Sequence, residues 1–198
     1  MKNQDTIIPK GHLEIIKIWN SGEEEIVFSE KNTIVSGMGV GLALMFAGSG
    51  SQSIKDYQIT RFQLGTSTHA SYGTSTYALA SALSLNNYGA SPDIRVSSLS
   101  QMINGNVVTS KAFGVIPFNL IRKVDKTSVQ FGIFIGPNTA NLASTLKEIG
   151  LFMNNPFNYS PPTPILVAYK QFSPILKTDQ FSLLFKWTII FWGITYGF

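Results

Sequence analysis

The chain has 198 residues, 44% of them apolar and 12% aromatic, enough for one domain with a sizeable buried core and too rich in core formers for a disordered tail. Charged residues make up only 13%, against the ~25% usual in soluble domains, the net charge is +4, and there is no cysteine. Disulfide frameworks, CxxC redox chemistry and thiolate metal sites are therefore excluded, and the basic residues, dispersed singly apart from Arg122-Lys123, form no stripe for nucleic acid.

Residues 1–10 are polar at the start and lead into no apolar run, so no signal peptide is expected; they read as an extended arm. Gly11 to Trp19 alternates in hydropathy as a strand does, Asn20-Ser21-Gly22 is a turn, and Ile26-Val27-Phe28 returns as the hairpin partner. Glu23, Glu24 and Glu25 fall at the hairpin tip, where a run of carboxylates is solvated surface rather than a cation site.

From about Thr33 to Ala47 the spacing changes to three and four. Val35, Met38, Leu42, Met45 and Phe46 then share one face of a helix, with Ser36 as a cap. Gly37, Gly39 and Gly41 lower helix propensity, which points to close backbone contact with a neighbouring element. The Gly-x-Gly-x-Gly spacing also occurs in phosphate-cradling loops, but neither a following Lys-Ser/Thr nor a βαβ context accompanies it. The stretch is about 16 residues long and glycine-rich, short of the ~20 that a membrane span needs.

Tyr57 to Leu64 alternates as a further strand, Thr66 to Thr76 is a Ser/Thr/Gly loop, and Tyr77 to Leu83 is a second short helix. Strands are then expected at Ile94–Leu99, Asn106–Thr109, Val115–Ile121, Val129–Ile135, Leu146–Phe152, Leu166–Lys177 and Phe181–Phe191. The separating turns are Asn104-Gly105, Asp125-Lys126 and Gly136-Pro137-Asn138. Many short strands with one or two short helices predict a mainly β protein, an antiparallel β-sandwich of jelly-roll type occupying residues 11–191 as a single domain.

Chemistry is scarce. His12 and His69 stand alone, with no His-x-x-x-His, Glu-x-x-His or Asp-x-Asp-x-Asp spacing, and no Gly-x-Ser-x-Gly elbow is present. Glu148 interrupts an apolar strand and has three readings: a general acid in a dry pocket, a structural hydrogen-bonding group, or an outward-facing residue. No catalytic residue, cofactor or metal is expected. A weakly charged surface loses no ion hydration when it is covered, which suits protein–protein contact; it equally describes a plain uncharged β-protein.

Two stretches stand out as assembly contacts. Pro156, Phe157, Tyr159 and Pro161 lie in a proline-rich loop that either presents its aromatics to a neighbour or forms an ordinary rigid turn. Trp192, Tyr196 and Phe198 form a C-terminal segment, residues 192–198, that either makes a contact or completes the last strand.

The order of short motifs carries a resemblance. Asn32-Thr33-Ile34-Val35-Ser36-Gly37 runs from strand to helix, followed by Leu42 to Gly48, and then by Phe62-Gln63-Leu64-Gly65-Thr66-Ser67. Near the end come Glu148-Ile149-Gly150-Leu151-Phe152, Leu166-Val167-Ala168-Tyr169, Pro174-Ile175-Leu176-Lys177 and Leu184 to Ile189. From about residue 30 to 191 the chain resembles small structural proteins of tailed bacteriophages, including the tail-collar and fibre-associated families.

That resemblance implies a non-enzymatic virion component of the tail or neck, a homo-oligomer (trimer or higher) docked on other virion proteins, assembled in the host cytoplasm, with neither nucleic acid nor membrane as a partner. Collar and fibre proteins usually continue into a fibrous or receptor-binding part. The end at Phe198 therefore favours an adaptor, collar or capsid-decoration role. The rivals from other classes are a carbohydrate-binding β-sandwich, with exposed aromatics as a stacking platform, and a pore-forming β-sandwich, for which the polar N-terminus supplies no amphipathic segment.

Overall fold

The computed structural model describes residues 9–34, 37–47, 54–65, 96–103, 106–141, 145–154 and 164–191, with the backbone alone over 96–103 and 106–113. The strands are β1 (Lys10–Trp19), β2 (Glu24–Ile34), β3 (Ile59–Gly65), β4 (Val96–Ile103), β5 (Asn106–Val115), β6 (Ile121–Lys123), β7 (Ser128–Ile135), β8 (Leu146–Met153), β9 (Ile165–Ile175) and β10 (Phe181–Ile190). One helix, α1 (Gly37–Ala47), follows β2, and 3-10 turns lie at Ile54–Tyr57 and Phe118–Leu120. The protein is mainly β, as its alternating pattern requires, and the strand pairings are antiparallel.

The ladders join all ten strands into one sheet, ordered β4-β5-β3-β8-β9-β2-β1-β10-β7-β6, which curls into a half-barrel. Two separate sheets of jelly-roll type were the expectation; here β2 belongs to both halves. Its Glu24–Asn32 stretch pairs with β1, and Thr33 and Ile34 pass over to Tyr169 and Ala168 of β9. Register shifts at Ile15/Ile16, Ile59/Arg61, Leu146/Glu148 and Leu151/Phe152 supply the bending, because an extra residue on one strand kinks it and raises its local twist.

Alternation decides what faces inward. On β10, Leu183, Phe185, Trp187 and Ile189 are buried while Leu184, Lys186, Thr188 and Ile190 are partly exposed. Their ladder neighbours Leu13 and Ile15 of β1 and Phe131 and Ile133 of β7 complete that half of the core. Phe62, Leu64, Ile149 and Leu151 line the other half. Phe172 of β9 joins the halves, its ring 6.0 Å from Phe185 and 6.1 Å from Phe28. Burial of each such side chain contributes about 1.5–3 kcal/mol. β8 is buried on nearly every residue, so its sequence reads as a continuous apolar run with Glu148 inside it.

Four expectations are corrected. Val115–Ile121 is not one strand: β5 ends at Val115, Pro117 carries no N–H for a ladder, and Phe118–Leu120 turns before β6 begins. This segment bridges the open side of the half-barrel, with the Ile116 N–H donating to the Thr60 carbonyl at 2.8 Å. The helix is also shorter than its spacing predicts, since Thr33 and Ile34 remain in β2. The strand expected at Tyr57 starts at Ile59, after the 3-10 turn. The arm expected at residues 1–10 gives up Lys10 to β1, and its residues 1–8 lie outside the described residues, as does the second helix at Tyr77–Leu83.

Candidate functional site

The helix α1 has no charged residue and is apolar on every side, yet it lies on the surface. Its inner side is fixed by close approach to the sheet. A Cβ on Gly37 would sit 1.9 Å from the Leu166 carbonyl oxygen, and one on Gly41 would sit 2.3 Å from Met153 Sδ. Both glycines are therefore required for the helix to reach β9 and β8, and Met38 is buried beside them. Gly39 has nothing near it, so the close-contact expectation holds for two of the three glycines.

The outer side carries Gly39, Val40, Ala43, Phe46 and Ala47, all exposed. Val40 is 52% exposed and Phe46 83%, and Ile54 in the adjoining 3-10 turn is 72% exposed. The helical spacing had placed Phe46 on the buried face with Met38 and Leu42. It lies one residue beyond Met45 and rotates out to solvent. A helix apolar all round is ordinarily buried, whereas the outer half of α1 is exposed.

Two buried polar groups have a different character. Glu148 is fully buried, and Tyr169 of the neighbouring strand donates its hydroxyl to Glu148 Oε2 at 2.6 Å. Of the three readings of Glu148, the structural hydrogen bond is what the geometry contains, and the exposed outward position is not. Gly65 stands opposite Glu148 and Gly150 opposite Tyr169, leaving room for both side chains. Nearby, Arg61 Nε and Thr60 Oγ1 donate to Asn154 Oδ1 at 3.0 and 3.2 Å, tying β3 to the end of β8.

Lys177 is 1% exposed, and its ammonium donates to three oxygens: Pro137 O at 3.0 Å, Asn141 Oδ1 at 3.0 Å and Thr178 O at 2.5 Å. The Phe181 ring lies 5.2 Å away. Burial pulls the amine down to about 8, with Asp179 partly offsetting it. The cage ties the turn after β9 to the loop after β7; the sequence shows Lys177 only as the end of the Pro174-Ile175-Leu176-Lys177 motif, and no local pattern names its partners in the loop after β7.

The contacts expected from sequence at Pro156, Phe157, Tyr159 and Pro161, and at Trp192, Tyr196 and Phe198, lie outside the described residues, as does His69. His12 bonds Ser29 Oγ at 3.1 Å on the outer side of the sheet. Glu23, Glu24 and Glu25 are exposed at the hairpin tip, as expected. Among the described residues no group of three or more His, Cys, Asp or Glu could hold a metal ion, and no helix is long and apolar enough to cross a membrane. The Gly-x-Gly-x-Gly spacing lies inside α1 and not in a loop ahead of a helix, so its N–H groups beyond the first turn are committed to the helix. No family model, curated protein or solved structure matches the chain.

Proposed function

We propose that this protein is a non-enzymatic structural component of a tailed-phage virion, a tail or neck part of collar, fibre-attachment or adaptor type that oligomerises and docks on other virion proteins. In this reading the curled sheet works as a sandwich-like block. The observation that supports it is the exposed apolar half of α1: Val40 and Phe46, with Ile54 of the adjoining 3-10 turn, stand in solvent on and beside a helix that carries no charged residue. Covering such a face releases water from apolar area without stripping any ion of hydration. The motif order, which resembles that of phage tail-collar and fibre-associated proteins, supplies the setting.

The test is a reconstruction of purified particles combined with a surface variant. A ring-sized copy number at the tail or neck is expected, and Phe46→Glu with Val40→Glu should fold normally yet fail to join the particle. Hundreds of copies spread over the head would favour capsid decoration instead. Absence of the chain from the particle would end the virion reading.

A further inference from the structure

The four-stranded part of the sheet formed by β2, β1, β10 and β7 is electrically polar along its strands. At one end the β1–β2 and β9–β10 turns lie together, since the Asn20 N–H donates to Gln180 O at 3.1 Å and its side chain to Asp179 O at 3.1 Å. This end exposes Glu23, Glu24, Glu25 and Asp179. Lys17 approaches Glu25 at 4.0 Å; Glu23 and Glu24 have no cationic partner among the described residues. Two apolar side chains stand among these acids, Ile26 at 62% and Leu176 at 52% exposure.

The opposite end lies one strand length away, on the order of 30 Å. There Lys10 pairs with Ile190, Ile190 with Ser128, and the Phe191 N–H donates to Thr127 O at 2.9 Å. Arg122 and Lys123 of β6 and Lys126 of the β6–β7 turn are exposed at this end of the sheet, as is Lys10 of β1. Asp125 is the one acid in that turn, and hydrogen bonds from the Ser128 hydroxyl and the Thr127 N–H hold it below the usual carboxylate range. Between Lys123 and Lys126 opens a cavity of about 340 Å³ that Val129 and Phe191 also line. The fold thus sets the Glu23–Glu25 run with Asp179 at one end and Arg122, Lys123 and Lys126 with Lys10 at the other, two ends of opposite sign. One end has apolar knobs and the other an apolar recess.

The geometry points to head-to-tail self-association, in which the acidic end of one copy seats on the basic end of the next and Ile26 enters the cavity beside Phe191. The inference rests on the proposed function only in taking a second copy as the occupant. A basic end alone would attract any polyanion; an acidic end of matching size on the same molecule favours another copy of the chain. Because the two surfaces differ, the contact is heterologous, and repeating it gives a ring if the rotation closes and a filament if it does not.

The experiment is sedimentation velocity on the full chain at low and high salt, with reversed variants. Wild type should associate at low salt and dissociate as salt rises. Glu23→Lys/Glu24→Lys/Glu25→Lys, and separately Arg122→Glu/Lys123→Glu/Lys126→Glu, should each weaken association by at least about tenfold, with circular dichroism unchanged. Mixing the two reversed proteins should restore association, since the ends are again complementary. Ile26→Ser, which removes only the knob, should weaken it too. A wild type that stays monomeric at low salt, a reversed variant that associates as well as wild type, or a basic end that binds only DNA would each overturn the inference. The virion reading is judged separately, by the presence of the chain in particles.

Discussion

Glu148 and Tyr169 are diagonal neighbours across the β8–β9 ladder, joined by a 2.6 Å hydrogen bond in a fully buried position on one side and a 9% exposed one on the other. The carboxyl group lies over Gly65 of β3, so three strands meet at one side chain. Tyr169→Phe removes one donor from a buried acceptor and should lower stability by about 1–3 kcal/mol in urea unfolding. Gly65→Ala puts a Cβ 2.2 Å from Glu148 Oε1 and should cost at least as much. The double variant should cost less than the sum, because both changes act through the same carboxyl group. Strict additivity would show that the pair does not share an environment.

This pair also shows how far the sequence could be read. The alternation of β1 and β10 and the turns at Asn20-Ser21-Gly22 and Gly136-Pro137-Asn138 are local, and all are legible. Glu148 was legible as an anomaly because a charge inside an apolar run has few explanations, but its partner lies 21 residues on and no local pattern names it. The curl was not legible, since it depends on β2 changing neighbours at Thr33 and on bulges that leave no periodic mark. The Glu23–Glu25 run and the Arg122-Lys123 pair were legible, but their placement at opposite ends of one sheet was not. Lys10 and Lys126 are remote in sequence and reach the same end of the sheet only through the Lys10–Ile190–Ser128 row.

Lys177 tests the cost of the buried cage. Lys177→Met keeps the length of the side chain and deletes all three donors, leaving Pro137 O and Thr178 O without this partner in a confined site. Loss of these hydrogen bonds outweighs the relief of not burying a charge, and a destabilisation of about 2 kcal/mol is expected. Hydrogen exchange should rise first in residues 137–141, the loop the ammonium holds. An unchanged unfolding midpoint would show that the cage contributes nothing.

The same lysine predicts a pH dependence with a definite sign. The folded protein releases the Lys177 proton near pH 8, whereas the unfolded chain holds it to about its ordinary 10.5. Between these values the unfolded state binds more protons, so stability rises with pH across this window. Below about pH 8 the amine is charged in both states, and this dependence flattens. Other groups titrate in the same range, so the quantity to measure is the stability difference between wild type and Lys177→Met. It should grow in favour of wild type from pH 7 to pH 10, and a flat difference would place the folded amine at its ordinary value.

The glycines of α1 separate two effects that the sequence presents as one motif. Gly39→Ala adds a methyl group where nothing lies within 4 Å, so only helix propensity acts, and the protein should gain up to about 1 kcal/mol. Gly37→Ala gains the same propensity but places its Cβ 1.9 Å from the backbone oxygen of Leu166, which cannot rotate away as a side chain would. The helix must then lift from β9 and expose Met38, whose burial is worth about 1.5–3 kcal/mol, so a net loss is expected. Gly41→Ala should fall between them, because Met153 is flexible and its sulfur can shift to admit the new methyl group. Thermal unfolding of the three variants should therefore rank them Gly39→Ala above Gly41→Ala above Gly37→Ala. A reversed order for the outer two would mean that α1 does not pack on β9 through Gly37.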